Sequence, residues 1–147
     1  MEVILRVYKI GNQEILMLLN KLTNKNFEGI WHTSIEVFGK EYFFSHEIIR
    51  AQPGSTKHKD IFKKHVMGTT VITEEEFELF LENQNELFGS NTYDLLKNNC
   101  NHFTNVCLQF LTNKQNPEYI MEVHEAALKN EFISNLVKMA FQNLNRF

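Results

Sequence analysis

The sequence predicts a single domain of mixed strand and helix, and three observations carry that expectation. Glu2 to Ile10 alternates in the manner of a strand, and residues 31 to 45 read as a β-hairpin. The second half of the chain places apolar residues at helical spacing, with one such run opening on a cysteine. With 147 residues, 43% hydrophobic and 22% charged, the chain is long enough for one buried core and has an ordinary globular composition. Thirteen phenylalanines point to a core rich in aromatics, with an apolar groove left open.

In the first strand Val3, Leu5 and Val7 alternate against Glu2, Ile4 and Arg6. Gly11-Asn12 breaks it, and Ile15, Leu16, Leu18, Leu19 and Leu22 make a short helix, followed by a polar loop from Thr23 to Gly29. Trp31 to Phe38 alternates again, Trp31, Thr33, Ile35 and Val37 on one face and His32, Ser34, Glu36 and Phe38 on the other. Gly39-Lys40 suits a two-residue primed turn, so Glu41 to Ser45 is expected to pair back. Arg50 to Lys64, with Pro53-Gly54-Ser55-Thr56 and several Lys and His, reads as a long exposed loop, and Met67 to Ile72 as a further strand. Thr73-Glu74-Glu75-Glu76 is a capping box for a helix that carries Phe77, Phe80, Leu81, Leu87 and Phe88 and ends at Gly89-Ser90. After Thr112 a polar stretch separates a tail, read as one helix from about Glu122 to Asn145. Its stripe of Phe132, Ile133, Leu136, Val137, Ala140, Phe141 and Leu144 is expected to pack on the domain rather than on a membrane surface or partner.

Several function classes are excluded at this level. The net charge of −3 and the lack of a dense basic run give no reason to expect nucleic acid. No apolar run approaches the length of a membrane span, and Arg6 interrupts the only candidate for a secretory signal. Two cysteines, Cys100 and Cys107, do not make a disulfide framework, so a cytoplasmic or nuclear location is the default expectation.

The chemistry centres on Cys100. Phe103, Val106, Cys107, Phe110 and Leu111 recur at helical spacing, which starts a helix at or near Cys100. A cysteine in the first turn faces unpaired N–H groups and the positive end of the helix dipole, both of which favour the thiolate. A nucleophile needs a base, and six histidines are candidates. His58 and His65 belong to the Lys-rich segment and are expected to be solvated; His124 lies in the tail. His102, two residues beyond Cys100, points to a different helix face. His32 and His46 remain, on or beside the hairpin, with His32 ahead. No Cys-x-x-Cys or paired-histidine spacing suggests a metal site.

As a set, Gly29-Ile30-Trp31-His32-Thr33, Gly39-Lys40-Glu41-Tyr42-Phe43-Phe44, Pro53-Gly54-Ser55-Thr56, Tyr93-Asp94-Leu95-Leu96 and Asn99-Cys100-Asn101-His102-Phe103 resemble, in order, the PPPDE family. These are the permuted papain-fold peptidases that include the DeSI desumoylating isopeptidases. The resemblance implies an α+β domain of permuted papain-like fold, with helices packed on a small antiparallel sheet. It spans about residues 1–112 as catalytic domain, leaving 113–147 as a helical extension packed on the same domain. It implies Cys100 as nucleophile and His32 as general base and acid, with no cofactor. The reaction implied is cleavage of an isopeptide or peptide bond after a ubiquitin-like modifier, SUMO or ubiquitin. On physical grounds it is expected to run through an acyl-enzyme, on a thiolate–imidazolium pair in which each charge stabilises the other. Trp31 is then a wall or lid of the site, or simply core, and Cys107 a buried structural thiol. An exposed sheet edge or the last helix leaves room for a homodimer.

Two other readings compete. The lecithin:retinol acyltransferase-like group shares a permuted papain fold, but its motif has Glu where Asn101 stands and often places tryptophan after the histidine, not before it. The related thioesterase or acyltransferase chemistry on acylated proteins or lipids would use the same two residues. A silent module that holds a ubiquitin-like protein in an aromatic groove is the third reading, disfavoured by the presence of both Cys100 and His32.

Overall fold

The computed structural model describes residues 1–142. Its sheet has five antiparallel strands in the order β4-β3-β2-β1-β5: β1 is Glu2–Ile10, β2 Ile30–Val37, β3 Lys40–Phe44, β4 Ile48–Ala51 and β5 Ile61–Thr69. The helices are α1 Gln13–Thr23, α2 Glu74–Asn83, α3 Cys100–Thr112, α4 Glu118–Leu128 and α5 Glu131–Gln142. This is an α+β domain, as expected.

Period-two alternation gives the sheet two chemically different faces. Val3, Leu5, Val7, Trp31, Ile35 and Val37 face α3, whose Phe103, Cys107, Leu108 and Leu111 complete the main core with Phe77 and Leu81 of α2. A second apolar cluster joins Ile10 and Ile30 at the strand ends to Ile15 and Leu19 of α1, to Cys100, and to α4 and α5. The sheet face opposite α3 carries buried polar groups. There Glu41, fully buried, accepts from Tyr8 Oη (2.8 Å), Ser34 Oγ (2.6 Å) and the Gly54 N–H (2.9 Å). Arg6 donates to Tyr8 Oη (2.7 Å) and to Glu36 (2.8 Å), and its Nε lies 3.6 Å from Glu41. A buried carboxylate is tolerable only with partners of this number. The Gly54 bond ties residues 52–60 down over this face.

Several expectations are corrected. The hairpin turn is Phe38-Gly39, closed by the Val37–Lys40 pair, with both residues at positive φ (55° and 71°). Left-handed backbone is strained for phenylalanine, and the contact of the Phe38 ring with Phe77 (6.0 Å) offsets the cost. The segment read as one loop from Arg50 to Lys64 contributes Arg50-Ala51 to β4 and Ile61 to Lys64 to β5. Strand β5 lies at the sheet edge with Lys63 and Lys64 exposed, so it lacks the apolar alternation that marks a strand. Helix α2 stops at Asn83; Leu87 is exposed and Phe88 reaches the core from a turn. The tail is two helices rather than one. Asn130 breaks it, and its side chain accepts from the Phe132 N–H (2.8 Å) at the start of α5. Phe132, placed in the packing stripe, is 77% exposed, whereas Ile133, Val137, Ala140 and Phe141 are buried. Leu144 and Asn145 lie outside the described residues.

Candidate active site

Helix α3 begins at Cys100 because Asn99 caps it. The Asn99 Oδ1 accepts from the Asn101 N–H (2.8 Å), and the Asn99 N–H donates to His102 Nδ1 (3.1 Å), a capping box with histidine in the place usual for Glu or Gln. His102 is thus committed to the cap. The approach to Asn99 is equally fixed: Asp94 Oδ1 accepts from the N–H groups of Leu96 and Lys97, and Asn98 Nδ2 donates to Leu87 O (2.6 Å).

Asn101 then fastens the helix start to β2. Its Nδ2 donates to Trp31 O (2.9 Å) and its Oδ1 accepts from Thr33 Oγ1 (2.7 Å), so it grips the residues on either side of His32. Pairing of β2 with β3 ends at Ile35–Tyr42, which leaves the edge of β2 open at Thr33. The Cys100 thiol occupies that edge. It donates to Asn101 Oδ1 (3.6 Å), and the backbone N–H groups of Thr33, Asn101 and Cys100 are directed at the sulfur.

His32 projects to the polar sheet face. Its ring stacks on His58 (centroids 3.6 Å apart, 19° between planes), meets Phe43 edge-on at 5.4 Å and lies 5.8 Å from Tyr8. Its Nε2 is buried and, among the described residues, without a hydrogen-bond partner. Cys100 and His32 are each only 2% exposed. Among the described residues no hydrogen bond joins the two. Burial pushes the Cys100 thiol up to about 12, against the smaller opposing effect of the three N–H groups, and burial together with the neighbouring His58 holds the His32 imidazole well below its usual value. Both shifts run toward thiol and neutral imidazole. Desolvation thus opposes a thiolate–imidazolium pair here, against the helix-terminus effect.

The structure brings Cys100 to the strand that carries His32. His46 is exposed, at positive φ against Tyr93, in the turn after β3. Trp31 is core: it packs on Phe62 (4.5 Å) and Tyr119 (5.5 Å), and a Cβ on Gly29 would stand 2.8 Å from its ring. Cys107 is a fully buried free thiol. His65, expected in solvent, is half-buried and bonded to Tyr119 Oη (2.6 Å). Two residues escaped sequence reasoning. His58, also expected in solvent, is 7% exposed and covers His32; His124, set aside with the tail, is 3% exposed and bonded to Asn101. Neither has a local signal, since each is buried by contacts distant in sequence. A cavity of about 400 Å³ between α1 and the α4–α5 pair is lined by Thr23, Lys25, Phe27, Ala126 and Ile133, and neither Cys100 nor His32 is in its wall. The described helices include none long and apolar enough to cross a membrane.

An α+β domain in which a cysteine opens a helix against a histidine-bearing strand is compatible with a cysteine peptidase-type hydrolase, and the family match and the relatives below carry that class. The profile of the PPPDE putative peptidase domain matches residues 1–141, and the chain belongs to that family. Desumoylating isopeptidase 1 of Xenopus laevis is 38% identical over 126 residues, covering 84% of this chain and 75% of the relative. Its human counterpart is 37% identical over 130 residues (87% and 77%). The DeSI-like protein sdu1 of Schizosaccharomyces pombe is 29% identical over 129 residues (80% and 62%). The family match runs through α4 and into α5.

Proposed function

We propose that the protein is a cysteine isopeptidase that cleaves the bond after a ubiquitin-like modifier, with Cys100 as nucleophile and His32 as general base and acid. One observation carries the assignment of residues: Asn101 bonds to Trp31 and Thr33 and so seats the Cys100 thiol on the strand segment that holds His32. The relatives named desumoylating isopeptidase make SUMO the first modifier to test, with ubiquitin the alternative.

In this reading the resting site is neutral and closed. Entry of the modifier's C-terminal tail separates the buried groups from their present neighbours and brings the sulfur and imidazole into reach. His32 takes the thiol proton as sulfur attacks the carbonyl, so charge separation develops only when the substrate is in place. The backbone N–H of Cys100, already directed at the sulfur, stabilises the oxyanion at the helix N-terminus. His32 protonates the departing lysine amine, and water activated by His32 then releases the acyl-enzyme. SUMO and ubiquitin carrying a C-terminal electrophile provide the test. Labelling of the parent that vanishes in Cys100→Ala and slows sharply in His32→Ala supports the reading and selects the modifier. Labelling that persists in Cys100→Ala refutes it.

A further inference from the structure

Helix α4 contributes a side chain to the nucleophile's surroundings that the mechanism above does not use. We propose that His124 is a positioning residue for Cys100, acting through the two asparagines that flank it. This rests on the reading of Cys100 as nucleophile. The His124 Nε2 lies 2.9 Å from Asn101 Nδ2 and 3.4 Å from Asn99 Nδ2, so one imidazole nitrogen meets the side-chain amides on both sides of the cysteine.

The hydrogen-bond inventory of Asn101 makes the connection specific. Its Nδ2 has two protons, and these go to Trp31 O and His124 Nε2; its Oδ1 has two lone pairs, and these receive Thr33 Oγ1–H and the Cys100 thiol. Both acceptors on the nitrogen side demand NH2 there. The amide therefore cannot turn over, and its oxygen is held against the sulfur. Asn99 is similarly placed, its Nδ2 shared between Leu95 O (2.8 Å) and His124, its Oδ1 on the Asn101 N–H.

Accepting at Nε2 requires that His124 be neutral with its proton on Nδ1. That Nδ1 is buried and, among the described residues, has no hydrogen-bond partner. An unsatisfied buried donor is costly, and packing alone would be served as well by an apolar ring at this site. The neighbours are the His102 ring of α3 at 5.8 Å and Phe141 of α5 at 5.5 Å, neither of which supplies an acceptor to Nδ1. The arrangement makes sense if the lone pair on Nε2 is what the site needs. Helices α4 and α5 then belong to the catalytic site.

Two substitutions separate positioning from space-filling. His124→Phe keeps the ring volume and removes the acceptor, whereas His124→Gln keeps an acceptor at the Nε2 position. The full-length chain is assayed for cleavage of a fluorogenic SUMO or ubiquitin substrate, and for the pH midpoint of Cys100 alkylation by iodoacetamide, resolved from Cys107 by peptide mass spectrometry. In His124→Phe, kcat falls about tenfold, the factor one ordinary hydrogen bond accounts for, with KM unchanged. The alkylation midpoint moves to lower pH, since an acceptor facing sulfur favours S–H. His124→Gln restores both. A parent-like kcat and midpoint in His124→Phe overturn the proposal, as do equal losses in both variants that follow their loss of thermal stability. If the parent cleaves neither substrate, the functional reading fails while the alkylation midpoints still decide the role of His124. Nitrogen-15 NMR of the unmutated protein is an independent check: protonation at Nδ1 with an unprotonated, hydrogen-bond-accepting Nε2 is expected, and the opposite tautomer refutes the proposal even if His124→Phe does not fold.

Discussion

His32, His58 and His124 are buried as neutral rings, and this makes the fold sensitive to mild acid. Burial lowers His58 to about 4, with Glu41 opposing the shift, and lowers His124 to about 3; His32 is shifted in the same direction. In the unfolded chain each would titrate near 6.5. Below that value the unfolded state binds protons that the folded state refuses. The stability each ring contributes is therefore complete above about 6.5 and drains away as pH falls toward the folded value. For His58, moving from ~pH 7.5 to ~pH 5 removes roughly 2 kcal/mol, and His124 loses a similar amount over the same interval. Together these two rings lose roughly 4 kcal/mol, a large part of the stability of many domains of this size, and His32 acts in the same direction. Urea unfolding followed by circular dichroism at the two pH values measures it directly. His58→Phe preserves a ring against His32 and cannot titrate, so its stability should fall by about 2 kcal/mol less than the parent's over this interval. A stability independent of pH across this range, or a His58→Phe variant as acid-sensitive as the parent, would refute the reasoning.

Two further outcomes follow from the packing. Removing the buried carboxylate with Glu41→Ala deprives Tyr8 Oη, Ser34 Oγ and the Gly54 N–H of their acceptor and leaves Arg6 its ion pair with Glu36; a loss of roughly 3 kcal/mol is expected in chemical denaturation. Gly29→Ala places a methyl 2.8 Å from the Trp31 ring, so the only tryptophan must shift; its fluorescence should change together with a loss of about 1–3 kcal/mol.

Much of the fold was legible because its signals are local. The alternation of β1 and β2 appears in the sequence as it does in the structure, since one face of each meets α3 and the other meets a different chemistry. The start of α3 was readable from Asn99-Cys100 followed by apolar residues at helical spacing, and the capping geometry agrees. The failures share a different cause. Strand β5 is an edge strand whose exposed lysines carry no apolar pattern, and the break at Asn130 interrupts a stripe that looks continuous in one dimension. Phe38 occupies a turn position that favours Asn or Gly, a choice explained by its contact with Phe77 and not by its neighbours in sequence.

The sequence by itself determined that Cys100 opens a helix and that His32 lies on a strand, because capping, periodicity and short motifs are properties of neighbouring residues. Only the tertiary structure decided what surrounds them. It stacked His58 on His32, drew His124 from α4 onto the asparagines beside Cys100, and buried thiol and imidazole so that desolvation opposes charge on both. Burial and long-range hydrogen bonds depend on which distant segments meet, and desolvation, the largest influence on both reacting groups, comes into being only when they do.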